Sequence, residues 1–156
     1  MIFIGSKKKK FYERELSRFL PGNIKVYVEP FGGSFAVSRF INKPVVSVYN
    51  DINTYDIDID ADFVHHVDYS EVFDLYDGVN TVFFIDPPYY KKEYLYDNCE
   101  HYNEKFHVEL RDRIDKLAGK VVITYNNERF IRMLYSKYDV HQCAGVFSNE
   151  LIITKL

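Results

Sequence analysis

The sequence predicts an α/β fold: a mainly parallel sheet covered on both faces, with a C-terminal antiparallel hairpin. Three observations carry this. Apolar strand-like runs alternate with amphipathic helical stretches, the runs are apolar throughout as in strands buried on both sides, and two strand-like runs close the chain. Residues 11–20 read as a helix with Phe11, Leu16, Phe19 and Leu20 on its apolar face, stopped by Pro21-Gly22. Ile24–Glu29 reads as a strand, followed by the loop Pro30-Phe31-Gly32-Gly33 and a short helix over 34–42 with Ser34 as N-cap. Pro44 introduces the strand Val45–Tyr49. A strand near 62–67 and a short helix near 70–76 precede the apolar run Thr81–Ile85. After a long polar and aromatic loop, 106–118 is amphipathic through Phe106, Leu110, Ile114 and Leu117, and Gly119 ends it. The strand 120–125, a helix over 127–137 and strands near 138–143 and 149–155 complete the chain. With no repeat and no linker, residues 1–156 are expected to form one domain.

The composition is that of an ordinary globule: 47% hydrophobic, 28% charged, net charge −3. A globally basic nucleic-acid binder is excluded, so any polyanion contact must come from local patches such as Lys7–Lys10 or Lys91-Lys92. Met1–Ile4 is too short for a signal peptide, and no run approaches the roughly 20 apolar residues of a membrane span. Cys99 and Cys143 form no CxxC pair, so neither a disulfide framework nor a zinc site is expected, and a reducing cytoplasm is the simplest compartment. His65, His66, His101 and His107 read as structural or surface residues, and no metal centre is expected. The unusual feature is 14 Tyr and 13 Phe with no Trp. Tyr90, Tyr94, Tyr96 and Tyr102 follow Lys91-Lys92 closely or flank them. That pattern suits base stacking with phosphate contact, or a lid that packs its own rings.

In an open parallel sheet, ligands bind outside the carboxyl ends of the strands. Three such ends are loaded here. Asp86-Pro87-Pro88-Tyr89 places a carboxylate at the end of an apolar strand, where two prolines stiffen the backbone and offer carbonyls without N–H groups. This is a rigid, acceptor-rich corner beside an aromatic ring, suited to a flat ring bearing an amine. Glu29-Pro30-Phe31-Gly32-Gly33-Ser34 has paired glycines that permit close backbone approach, leading into the N–H groups of a helix N-terminus. Asn50-Asp51-Ile52-Asn53 ends the next strand, where Rossmann-type sites carry the acid that accepts from ribose hydroxyls. Together they read as a nucleotide-like cofactor at the first and second strand ends and a planar amine at the third. The loop is not a full GxGxxG, and Phe35 stands where a pyrophosphate would need room.

The segments Tyr27–Ser34, Tyr49–Asn53 and Ile85–Tyr90 resemble the Dam-like (D12 class) DNA adenine-N6 methyltransferases, and the resemblance continues through Phe106–Leu110, Gly119–Asn127 and Asn149–Thr154 in the family's order. It implies a Rossmann-like methyltransferase fold, S-adenosylmethionine as cofactor and an exocyclic adenine amine as acceptor. By motif, Glu29, Pro30, Phe31, Gly32, Gly33 and Ser34 approach the methionine part of the cofactor. Asp51 and Ile52 serve its ribose side, Asp68-Tyr69 its adenine side, and Asp86 its reacting end. Gly5-Ser6-Lys7 resembles a degenerate form of the family's Gly-x-Lys opening, which also touches the cofactor; any of Lys7 to Lys10 could be the equivalent lysine. Asp86, Pro87, Pro88 and Tyr89 are the implied catalytic turn, with Asp86 and the Pro87 carbonyl accepting from the amine and Tyr89 stacking on a flipped base. Tyr90, Lys91, Lys92 and Tyr94 are the candidate nucleic-acid contacts.

One departure matters. The family's target-recognition region is expected between the ribose motif and Asp-Pro-Pro-Tyr, yet the span from Asp51 to Asp86 only completes the core sheet. The catalytic part is present without the usual DNA-reading part. The expected function is therefore a minimal DNA adenine-N6 methyltransferase, orphan or in a restriction–modification system. The alternatives are a cofactor-binding catalytic subunit that needs a separate reading partner, a homodimer that supplies the missing surface, or an enzyme acting on single-stranded DNA or RNA.

Overall fold

The computed structural model describes residues 7–97 and 99–156. Gly5, Ser6 and the Met1–Ile4 run lie outside them. The strands are β1 (Val26–Glu29), β2 (Val46–Asn50), β3 (Phe63–His65), β4 (Thr81–Ile85), β5 (Lys120–Asn126), β6 (Asp139–Gln142) and β7 (Glu150–Lys155). They form a 7-stranded sheet in the order β3-β2-β1-β4-β5-β7-β6. The pairs among β1 to β5 are parallel; β7 runs antiparallel to both β5 and β6. The topology reverses beside β1, where one crossover leads to β2 and a later one to β4, so ligand-binding loops converge there.

β4 is buried along its whole length. Its alternate residues enter different cores, as the two-residue strand period requires. Phe83 and Ile85 pack with Val28, Val72, Leu110 and Ile114, on the side of helices α2 (Tyr69–Tyr76) and α3 (Glu104–Lys116). Val82 and Phe84 pack with Phe11, Leu16, Tyr27 and Tyr49 on the opposite side. α2 starts where Asp68 accepts the Ser70 N–H, and α3 where Asn103 accepts the Phe106 N–H.

Three expectations are corrected. The helix expected over 11–20 is a short α-turn (Lys9–Phe11), a π-helical turn (Tyr12–Leu16) and a 3-10 turn (Ser17–Phe19). Phe11 and Leu16 are both buried five positions apart, a spacing that i→i+5 pairing brings to one side better than a regular α-helix does. The helix expected over 34–42 shrinks to the 3-10 turn Val37–Arg39, and Ser34 makes no cap. Gly33 and Phe35 both adopt positive φ (48° and 52°), which an α-helix cannot contain. The terminal strands do pair as a hairpin, but only β6 is an edge; β7 is interior, between β5 and β6. A final helix, α4, is confined to Arg129–Leu134 within the expected 127–137. Among the described residues, no helix is long and apolar enough to cross a membrane.

Gly32 is required by packing as well as by any ligand. A Cβ there would lie 2.3 Å from Tyr49 Cε2, and Tyr49 is fully buried. Gly32→Ala is expected to destabilise the fold by about 1–3 kcal/mol in equilibrium urea unfolding, the usual cost of forcing a methyl into a filled core. An unchanged midpoint would show that the Tyr49 ring moves aside freely.

Candidate active site

The three loaded strand ends open into one cavity of about 1180 Å³. Ligand sites commonly span ~300–1000 Å³, so there is room for a cofactor and part of a second reactant. Lys7, Glu29, Pro30, Phe31, Gly32, Gly33 and Ser34 line it, as do Asp51, Ile52, Asp68, Tyr69, Asp86 and Pro88. Every residue the sequence assigned to the cofactor thus borders this one cavity. Pro87 and Tyr89 are buried but do not line it, and Tyr90, Lys91, Lys92 and Tyr94 do not line it either.

β4 carries Asp86 to the cavity wall. Thr124, on the neighbouring strand β5, donates its O–H to Asp86 Oδ1 at 2.6 Å, and Lys7 Nζ stands 3.0 Å from the same oxygen. Among the described residues both contacts fall on Oδ1, leaving Oδ2 as the oxygen for an incoming N–H. Lys7 also donates to the Tyr89 hydroxyl at 2.8 Å, and Tyr89 donates to Glu150 Oε2 at 2.5 Å. Burial raises the Glu150 carboxyl above its ordinary value, with Lys7 acting in the opposite sense.

Tyr89 therefore differs from the expected stacking platform. Its ring is 7% exposed, Lys7 Nζ lies 5.0 Å from its centroid, and Tyr125 packs at 6.0 Å. In this arrangement it is an internal strut between the Asp86 turn and β7. Pro87 is likewise packed inside the turn, so the cavity wall there consists of Asp86 and Pro88.

The glycine loop is held by side chains more than by a helix. Asp51 Oδ2 accepts the Gly33 N–H at 3.0 Å, and Oδ1 accepts the Asn53 N–H at 3.0 Å. Burial pushes the Asp51 carboxyl upward while these N–H bonds pull it down. Tyr55 also hydrogen-bonds this carboxylate, and its remaining lone-pair capacity is open to a hydroxyl. The expected helix N-terminal donors are not presented: no α-helix follows, and the N–H groups of Gly32, Gly33 and Phe35 are bonded to Asn50, Asp51 and Gly32. Asp68 borders the cavity but also serves as the α2 cap.

Of the expected nucleic-acid contacts, Tyr90 is half-buried and engaged within the chain. Its ring packs on Phe130 (4.7 Å) and His107 (5.6 Å), its O–H bonds Glu104, and its carbonyl accepts from Asn126. Lys91 pairs with Glu128 at 3.4 Å. Tyr94 is 73% exposed.

Thr124, Glu150, Tyr55 and Arg113 belong to the cavity or its support but were not singled out from sequence. Thr124 had a usable signal, as a polar residue within the otherwise apolar run Val121–Tyr125 next to β4. Tyr96 and Tyr102 sit in the loop already read as a lid.

Carboxylates dominate the wall: Glu29, Asp51, Asp68, Asp74, Asp86 and Asp97 against Lys7 and Arg113, with Arg113 already bonded to Asp74. Such a donor set disfavours a polyphosphate cofactor. It fits S-adenosylmethionine, which carries cationic sulfonium and ammonium groups together with ribose hydroxyls.

Neither a protein-family model nor a curated protein sequence matches the chain. Among solved structures, it is similar to "Putative methyltransferase yhhF from Escherichia coli", with a TM-score of 0.59 and 8% identity, covering 99% of this chain and 89% of that one. It is also similar to protein LPL1258 from Legionella pneumophila, with a TM-score of 0.50 and 12% identity, covering 89% of this chain and 80% of that one. These are likenesses of fold alone.

Glu29 is 2% exposed, and Tyr27 donates to its Oε1 at 2.6 Å. Burial raises its pKa from 4.5 to about 8, with the nearby Asp86 charge adding to the rise. The folded protein therefore holds a proton that the unfolded chain releases from about pH 4.5 upward. This contribution to stability is complete below that value and is lost as pH rises through about 8. Stability should fall between pH 5 and 8 by up to about 1.4 kcal/mol per pH unit, and Glu29→Gln should flatten that slope in urea titrations. Equal slopes in the two proteins would show that Glu29 is ionised in the fold.

Proposed function

We propose that this chain is an S-adenosylmethionine-dependent methyltransferase acting on the exocyclic N6 amine of adenine in DNA. The observation that carries the reading is the meeting of Asp86, the Gly32-Gly33 loop and Asp51 in one acidic cavity at the strand ends. The Asp-Pro-Pro-Tyr resemblance supplies the acceptor, and the methyltransferase-type fold is consistent with it.

Phe31, Ser34, Asp51, Ile52, Asp68 and Tyr69 are the residues that would hold the cofactor. When bound, S-adenosylmethionine supplies an electrophilic methyl group on a sulfonium sulfur. The chain's own part is to make a poor nucleophile attack. An adenine amine has its lone pair delocalised into the ring. Asp86 Oδ2 accepts an N–H from it, draws the nitrogen toward a tetrahedral geometry and frees the lone pair. The same carboxylate stabilises the positive charge that develops on nitrogen, with the acceptor already oriented by Thr124 and Lys7. Holding both reactants in one cavity adds the proximity contribution. Leu95, Tyr96 and Tyr102 line the same cavity.

A second reading has its own support. Tyr90 bonds Glu104, Lys91 pairs with Glu128, and the cavity wall is acidic, which disfavours direct capture of a polyanion at the site. A catalytic subunit that receives its base from a separate reading partner fits that electrostatics.

The test is transfer of a radiolabelled methyl group to duplex DNA, single-stranded DNA and RNA, with nucleoside analysis of the product. Label in N6-methyladenine of DNA supports the first reading. Cofactor binding without transfer to any of the three favours the second. Asp86→Ala is expected to retain cofactor binding and lose at least about a hundredfold in turnover, the size of removing one preorganised electrostatic group. Near-normal turnover in that variant would sink the mechanism.

A further inference from the structure

His107 was read from sequence as structural, and the reaction above does not use it. Its side chain is completely buried, which is rare for a histidine unless both ring nitrogens are satisfied. They are. Nδ1 lies 2.7 Å from the Tyr125 hydroxyl on β5, and Nε2 lies 3.2 Å from Glu93 Oε1. Burial lowers its pKa, with Glu93 and Glu104 acting in the opposite sense, so the ring is neutral near pH 7. A carboxylate can only accept, which makes Nε2 the protonated nitrogen and Nδ1 the acceptor from Tyr125.

Glu93 opens the loop that roofs the cavity. That loop leaves the Asp86 turn, passes through the 3-10 turn Glu93–Leu95, and returns through Cys99–His101 to α3. Leu95, Tyr96, Asp97, His101 and Tyr102 face the cavity. The loop is fastened to α3 at both ends by consecutive residues. Tyr102 packs against Phe106 at 5.0 Å, and Glu93 bonds His107. Glu93 Oε1 also accepts the Lys91 N–H at 2.9 Å, and Lys91 has a φ of 60°. A non-glycine residue in that left-handed region needs such a restraint.

We infer that His107 is a positioning residue: through Glu93 it latches the loop between Lys91 and Tyr102 over the cavity, and so controls access to Asp86. The role as an access control rests on the methyltransferase reading; the latch itself does not. Tyr125 fixes the ring on one side, and the imidazole transmits that rigidity from β5 to the roof. Removing the latch is expected to weaken ligand retention more than the chemical step, because Asp86 is held separately by Thr124 and Lys7.

The experiment is hydrogen exchange read by mass spectrometry on the ligand-free protein, comparing wild type, Glu93→Ala and Glu93→Gln. The Glu93 side chain is 19% exposed where His107 is fully buried, so its variants test the latch with less folding risk than His107→Ala. In Glu93→Ala, amides of 93–97 and 99–102 should exchange at least about tenfold faster, as loss of a hydrogen bond to a charged group predicts, while β4 and β5 stay protected. Glu93→Gln, whose carbonyl still accepts from Nε2–H, should restore most of the protection. Unchanged loop exchange in Glu93→Ala, or a rise spread evenly over the sheet, would overturn the latch. In methyl-transfer assays Glu93→Ala should raise KM several-fold with kcat nearly unchanged. A loss confined to kcat would overturn the positioning role. Absence of transfer by the wild type would count against the methyltransferase reading and leave the exchange result to judge the latch.

Discussion

The site depends on one constraint: a carboxylate delivered to the open end of a strand that is itself wholly buried. β4 lies between β1 and β5 and contributes to both cores, so its C-terminal end cannot shift without disturbing the interior on either side. Asp86 inherits that rigidity. The neighbouring strand then supplies the Thr124 hydroxyl one position beyond the Ile85–Ile123 register pair. An acceptor built this way loses little entropy on accepting a hydrogen bond, because its orientation was fixed when the sheet formed.

The second organising feature is how acidic groups coexist around that acceptor. Asp86, Glu29 and Glu150 approach one another where solvent is scarce, and three ionised carboxylates there would repel strongly. The fold relieves this in three ways. Glu29 keeps its proton, Glu150 receives the Tyr89 O–H, and Asp86 is paired with the Lys7 ammonium. Of the three, Asp86 is the one in direct contact with the Lys7 ammonium, at the wall of the cavity. Neighbouring acids held in different protonation states by their surroundings are a common basis for assigning different roles to them.

The fold was legible in the sequence wherever one residue type dominates a local choice. The apolar run 81–85 became β4 with the same bounds, and α2 and α3 lie within two residues of where their apolar faces suggested. The misses have a common physical origin. The segment 34–42 has helical composition, but Gly32 must sit against Tyr49 and Asp51 must take the Gly33 N–H, so the chain leaves that loop with positive φ at Phe35. The N-terminal helix has an ordinary apolar stripe locally, yet the sheet surface it covers demands a π-turn. Tertiary contacts overrode propensity in both cases.

The candidate site divides along the same line. Residues placed by strand ends, such as Glu29, Asp51 and Asp86, were readable because apolar runs terminate at them. Roles set by long-range polar pairs were not. Lys7 reaches Tyr89 across 82 positions, Tyr89 reaches Glu150 across 61, and Tyr90 bonds Glu104 across 14. Nothing in the local sequence around Tyr89 or Tyr90 distinguishes a ring that stacks on a ligand from one that braces a turn. Those pairings decide the difference: Tyr89 braces the Asp86 turn against β7, and Tyr90 ties the same turn to α3 and β5.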